Sequence, residues 1–221
     1  MRIIARFSKK EEARFVSHLD VQRLFGRAFR RAGLPVAYSQ GFNPHPVLAF
    51  ATALSTGTTS DAEWLDVRLE RDMLPEEFTA SLNFALPPGF RVLEALAVEE
   101  KLPSLTALLA RADYALAFAG EPNEAKLRAA LEALLSGPIV IDKRTKGGVK
   151  PTDIRPQVLC AGFSRTDGNA LVLELSGVLN ASGSLNPDAF AKELLERAGE
   201  SAEYRIHRRA VAFQNGKRIP V

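Results

Sequence analysis

Arg23, Arg27, Arg30 and Arg31 lie close together in the sequence. On a 3.6-residue wheel they gather opposite Val21, Leu24, Phe25, Ala28 and Ala32, so one face packs and the other is a cationic stripe able to neutralise phosphates. The next segment, Tyr38-Ser39-Gln40-Gly41-Phe42-Asn43-Pro44-His45-Pro46, is rich in hydrogen-bonding groups with no apolar periodicity, on a backbone fixed by proline and glycine. Tyr38 and Phe42 offer planar faces for stacking exposed bases, worth about 1–3 kcal/mol each. Asn43 and His45 supply polar contacts beside them. A second basic group, Lys143, Arg144, Lys146 and Lys150, surrounds Gly147-Gly148, where the backbone can come close to a phosphate. A third comprises Arg205, Arg208, Arg209, Lys217 and Arg218.

The net charge of +3 says little, but its distribution does. Residues 1–40 hold nine Lys or Arg against three acids, and residues 61–100 hold three against ten, so the basic character is regional. Such patches are the electrostatic footprint of a polyanion partner. The bland alternatives are a solvated helix face and a polar loop that merely ties down a long connection.

These residues must be positioned by a helix and the turn that ends it. Ser17 sits where a helix would start, with Asp20 three residues on as a capping-box variant. The helix runs to about Ala32, and Gly33, Leu34 and Pro35 end it. Residues 2–8 read as a strand before it. Val47 to Leu54 and Glu63 to Leu69 read as strands after it, the latter with Trp64, Asp66 and Arg68 on a wet face. Pro75 opens a helix that Pro87-Pro88-Gly89 stops, and Phe90 to Val98 is a strand. The order β-α-β-β-α-β is the ferredoxin-like unit, and it repeats beyond residue 111, with 143–150 as a basic loop. The expected fold is therefore α+β, with tandem ferredoxin-like units and antiparallel sheets. The expected domains are 1–100, a linker at 101–111, and 112–221.

The composition, 46% hydrophobic over 221 residues, supports packed cores. There is no apolar run of membrane-spanning length and no secretory start, and the lone Cys160 forms no internal disulfide; a cytoplasmic location is expected. One cysteine also cannot hold a radical SAM iron-sulfur cluster, which takes three. The three histidines are far apart and suggest no metal site. No P-loop or dinucleotide glycine pattern occurs.

The segments SHLD, RAFRRAGLPVAYSQGFNPHP and LAFA closely resemble the bacterial radical-SAM-linked protein family, catalogued as a domain of unknown function. Its members occur alone or joined to a radical SAM enzyme with a cobalamin-binding-like region. The resemblance implies such an enzyme as partner, bringing the iron-sulfur cluster and S-adenosylmethionine, with no cofactor on this chain. No catalytic positions carry over. The leading expectation is a non-catalytic RNA-binding protein that presents tRNA or rRNA to that enzyme. A metal-independent endoribonuclease using His18 and His45, with Tyr38 nearby, is one alternative. A protein-docking module without RNA is the other.

Overall fold

The computed structural model describes residues 1–98, 101–145 and 148–214. The fold is mixed α+β, with five α-helices among the described residues and strands that pair mostly antiparallel. Contacts divide the chain into two compact units, Met1–Leu109 with the chain from Ala210 on, and Ala110–Arg209. The sequence suggests a linker over 101–111 with everything after it in the second unit. Within that stretch Ser104 caps a helical turn and strand structure resumes at Leu109, and contacts place the chain from Ala210 with the first unit.

The first unit contains β1 (Arg2–Lys9), α1 (His18–Arg31), β2 (Leu48–Phe50), β3 (Thr59–Arg68), α2 (Pro75–Ala85), β4 (Phe90–Val98) and α3 (Leu105–Leu108). Its strands lie in the order β2-β3-β1-β4, every neighbour antiparallel. Helix α1 begins where the Ser17 hydroxyl accepts the Asp20 backbone N–H at 3.2 Å and donates to the Asp20 carboxylate at 2.7 Å. Asp20 thus answers the Ser17 side chain rather than its backbone, a variation on the usual box. The helix ends in a Schellman motif: Gly33 N–H reaches Arg30 O at 3.2 Å, Leu34 N–H reaches Phe29 O at 3.1 Å, and Gly33 has φ +63°.

The apolar face of α1 is pinned by rings. Phe25 is fully buried, with its centroid 4.8 Å from Phe7 on β1, 5.6 Å from Phe50 on β2, 6.1 Å from Phe90 on β4 and 6.1 Å from Phe29. Val21 and Ala28 join the same core with Leu65, Val67, Phe78 and Leu82. Strand β3 departs from the alternation its sequence suggests. Trp64 is only 4% exposed and meets Phe213 edge-on at 5.7 Å, while Arg2 clamps Asp66 with contacts of 2.6 and 3.0 Å. The side expected to be wet is enclosed because β11, distant in sequence, becomes the next strand beside β3 and sets Phe213 against Trp64, while α3 packs against β3.

The second unit contains β5 (Leu109–Phe118), α4 (Glu124–Leu135), β6 (Val140–Thr145), β7 (Gly148–Asp153), β8 (Val158–Arg165), β9 (Leu171–Asn180), β10 (Gly183–Ser184), α5 (Pro187–Ala198) and β11 (Tyr204–Phe213), β11 ending in the first unit. Strands β8-β9-β5-β11 are neighbours in that order, and β10 extends beside β9. Helices α4 and α5 start at Asn123 and Asn186 caps, and their Leu127, Leu134, Phe190 and Leu194 are fully buried. The basic segment read as a loop is largely strand: β6 and β7 pair from Val140↔Asp153 to Thr145↔Gly148 as a separate two-stranded ribbon. Backbone pairing between the two strands overrides the weak strand preference of their lysines.

Phe25→Ala should lower stability by about 3–5 kcal/mol, because its ring leaves a void among four others. Urea unfolding followed by the fluorescence of Trp64, the single tryptophan, measures it. A loss below about 1 kcal/mol would contradict the central place given to this ring.

Candidate nucleic-acid interface

The polar face of α1 and the loop after it enclose a concavity of about 440 Å³. Arg23, Arg27 and Arg30 line it from the helix, and Tyr38, Pro44, His45 and Pro46 from the loop. Gln22, Gly26 and Leu48 complete the lining. Helical geometry explains the arginine side, since residues 23, 27 and 30 recur at four and three and share one face. Burial of Phe25 and Ala28 fixes which way that face points.

The loop is held at its neck. Ala37 N–H donates to Arg68 O at 2.9 Å, Val47 N–H to Ala37 O at 2.8 Å, and Arg68 N–H to Val47 O at 3.1 Å. Further out, Ser39 N–H reaches His45 O at 2.9 Å and His45 N–H reaches Ser39 Oγ at 3.1 Å. The His45 ring nitrogen Nδ1 lies 2.9 Å from Ser39 Oγ and 3.4 Å from Asn43 O. Nδ1 is therefore engaged inside the loop, leaving Nε2 as the ring nitrogen available to a ligand. His45 also lines a second concavity of about 490 Å³ with Ser39, Asp66, Arg68 and Ser104.

The sequence-selected residues divide in instructive ways. Arg23 is partly committed, donating to Asp20 at 3.1 Å, and Arg30 Nε reaches Gly26 O at 3.4 Å. The Arg27 side chain forms no ion pair or hydrogen bond among the described residues and is exposed. Arg31 does not line this concavity. It donates to Ala85 O at 2.8 Å and so caps the C-terminal end of α2, where a cation also meets the negative end of the helix dipole. One residue beyond Arg30 means a further 100° round the helix, enough to carry Arg31 to the α2 side. Phe42 stands fully exposed beside Gly41, whose φ is +129°, and neither it nor Asn43 lines the cavity.

His18 is elsewhere. Its ring meets Phe50 edge-on at 5.6 Å, its Nε2 lies 3.2 Å from Gln22 Nε2, and it lines a small crevice with Phe7, Lys9 and Glu63. His18 and His45 therefore do not share a cavity. In that crevice, burial pushes the Lys9 ammonium below its ordinary pKa, with Glu63 opposing, while Lys9 Nζ donates to Val16 O at 2.7 Å.

Lys143 and Lys150 lie in the second unit, directly opposite each other across the β6–β7 ribbon. Like charges in a facing pair repel, a cost that an anionic partner would relieve. Lys146 and the Arg144 side chain fall outside the described residues, as do Lys217 and Arg218. The third basic cluster is partly consumed in structure: Arg208 is buried with its guanidinium 5.5 Å from the Tyr114 ring centre, and Arg209 pairs with Glu174 at 2.6 Å. Among the described residues no three His, Cys, Asp or Glu side chains converge as metal ligands. Sequence reasoning passed over Gln22, Gly26 and Ser39. Gln22 and Gly26 follow the same spacing as the arginines, so the helical wheel could have found them.

Residues 2–187 match the family described as "Uncharacterized protein conserved in bacteria (DUF2344)". The chain belongs to this family. Comparison with curated protein sequences gives no match. Among solved structures, the chain is similar to one in "Crystal Structure of a Cbf5-Nop10-Gar1 Complex", with a TM-score of 0.52 and 11% identity. That match covers 93% of this chain and 47% of the other, so this chain spans about half the length of the protein it resembles. The likeness is one of fold. No helix of the described residues is long and apolar enough to cross a membrane.

The Ser17 hydroxyl and then the Arg23 guanidinium hold the Asp20 carboxyl below the usual carboxylate range. A depressed acid pKa favours the folded state above the ordinary carboxylate range, and the benefit is lost as pH falls through the folded-state value. Ser17→Ala should raise the Asp20 pKa, read by carboxyl NMR titration, and cost about 1 kcal/mol as a lost cap. An unmoved Asp20 titration would remove the hydroxyl as its cause.

Proposed function

We propose that this chain is a non-catalytic RNA-binding protein that presents a transfer or ribosomal RNA to a radical SAM enzyme. One observation carries the RNA part: three guanidiniums, a tyrosine and a histidine line a single concavity to which no described carboxylate contributes. Such a site is cationic enough for phosphates and has a tyrosine face on which a base can stack. The Lys143/Lys150 ribbon adds a second cationic element whose facing charges an RNA backbone would offset. The radical SAM part rests on the resemblance carried by SHLD and RAFRRAGLPVAYSQGFNPHP; the iron-sulfur cluster and S-adenosylmethionine would belong to the partner. We also read both units as ferredoxin-like. Support comes from their shared helix and strand sequence, with the β6–β7 ribbon as an insertion, and from matching strand orders, β2-β3-β1-β4 and β8-β9-β5-β11. Fold analogy alone adds little to function.

A docking reading draws on Phe42, a fully exposed aromatic at the loop tip. It makes the loop a protein contact and leaves the arginines uncommitted. The endoribonuclease reading draws no such support, since His18 and His45 line different cavities.

Arg27→Gln should weaken binding of a single-stranded RNA and reduce the slope of log K against log salt by about 0.7, the value for one lost phosphate contact. Arg31→Gln should leave that slope unchanged. Fluorescence anisotropy across a salt series measures both, and an Arg27 variant with the parental slope would take the helix out of the interface. Affinity capture of the tagged chain from its native cytosol, with and without nuclease, tests the partner. A radical SAM enzyme recovered with a discrete RNA supports presentation, whereas the enzyme alone, insensitive to nuclease, favours docking through Phe42.

A further inference from the structure

Gly26 lies in the middle of α1, among the arginines that line the cavity. Glycine at such a position is unfavourable relative to alanine, since it loses more backbone freedom on helix formation. Backbone conformation does not demand it, because Gly26 is absent from the positive-φ glycines. Packing does not demand it either: a Cβ built there meets Pro46 Cγ at 3.8 Å, an ordinary van der Waals contact. What a side chain at this position would take up is space between α1 and the loop, in the cavity itself.

The rest of the lining matches a nucleotide in shape and chemistry. Along the helix axis, Arg23 to Arg27 is about 6 Å and Arg27 to Arg30 about 4.5 Å, at a rise of about 1.5 Å per residue, so the guanidinium row can follow a strand from one phosphate to the next. Pro44, Pro46 and Leu48 give the opposite wall an apolar surface, and Tyr38 adds an aromatic one. A volume of about 440 Å³ is in the range of small-ligand pockets. It admits one unpaired residue and is far too small for a paired helix.

Building on the RNA reading, we infer that this cavity takes a single unpaired nucleotide. Its base enters beside Gly26 against the proline wall, and its flanking phosphates rest on Arg23, Arg27 and Arg30. The site then selects single-stranded or extruded residues over duplex, and glycine is kept at position 26 at the expense of helix stability.

The test compares the parent with Gly26→Ala, Gly26→Leu and Arg27→Gln, using a labelled short RNA alone and annealed to its complement. The parent should prefer the single strand by about tenfold, and Gly26→Leu should lose about tenfold on the single strand with little change on duplex. Gly26→Ala should weaken single-strand binding while raising Tm by about 2–4 °C, which separates site blocking from misfolding. Uridine monophosphate should displace the strand better than inorganic phosphate does. Equal binding of single strand and duplex, or a Gly26→Leu variant that binds as the parent does, overturns the insertion; the RNA reading survives if Arg27→Gln still weakens both. If the parent binds neither RNA at moderate salt, the RNA reading falls and takes this inference with it.

Discussion

The burial of Phe25 between the sheet and α1 is the constraint on which the site depends. A helix whose Phe25 is held by three rings on the sheet, Phe7, Phe50 and Phe90, has no freedom to rotate, so its opposite face is fixed as well. Arg23, Arg27 and Arg30 thereby share the side of the helix that faces the loop, with Arg23 further held by Asp20 and Arg30 by the Gly26 carbonyl. Long, flexible side chains gain directional preference from the helix that carries them, which lowers the entropy cost of gathering three of them on one ligand.

The loop contributes stiffness of a different kind. Its neck is joined to β3 through Arg68, and its interior is closed by the reciprocal bonds between Ser39 and His45. Ser39 fixes the rotation of the imidazole as well as the path of the backbone. A site formed between a pinned helix and a self-bonded loop is close to its binding geometry before any ligand arrives. The concavity then needs little rearrangement, and contact energy goes into affinity rather than ordering.

Much of this was legible in the sequence, for physical reasons that particular residues show. Ser17, Gly33, Pro75 and Pro87 act through local backbone chemistry, so the helix ends they mark emerge close to where the sequence puts them. The clustering of arginines with the Tyr38 to Pro46 segment was equally visible, because helical spacing and chain continuity bring them together. The placement of Arg31 was not, since only the approach of α2 reveals that Ala85 needs a donor. Trp64 was misread for the same reason: alternation shows that β3 has two faces and is silent about what arrives over the second. The β6–β7 ribbon shows in the sequence only as a basic loop, because lysines and glycines are poor strand formers and pairing rather than propensity makes those strands.

The return of β11 to the first unit has a consequence for how the chain is made. Synthesis proceeds from the N-terminus, so β3 leaves the ribosome long before Phe213 exists to pack beside Trp64. The whole second unit must be translated in between, about 5–20 s at about 5–20 residues per second. Throughout that interval the Trp64 ring on β3 lacks its Phe213 partner. Completion of the first unit is thus a late event timed by elongation, and a natural point at which a chaperone would hold the chain.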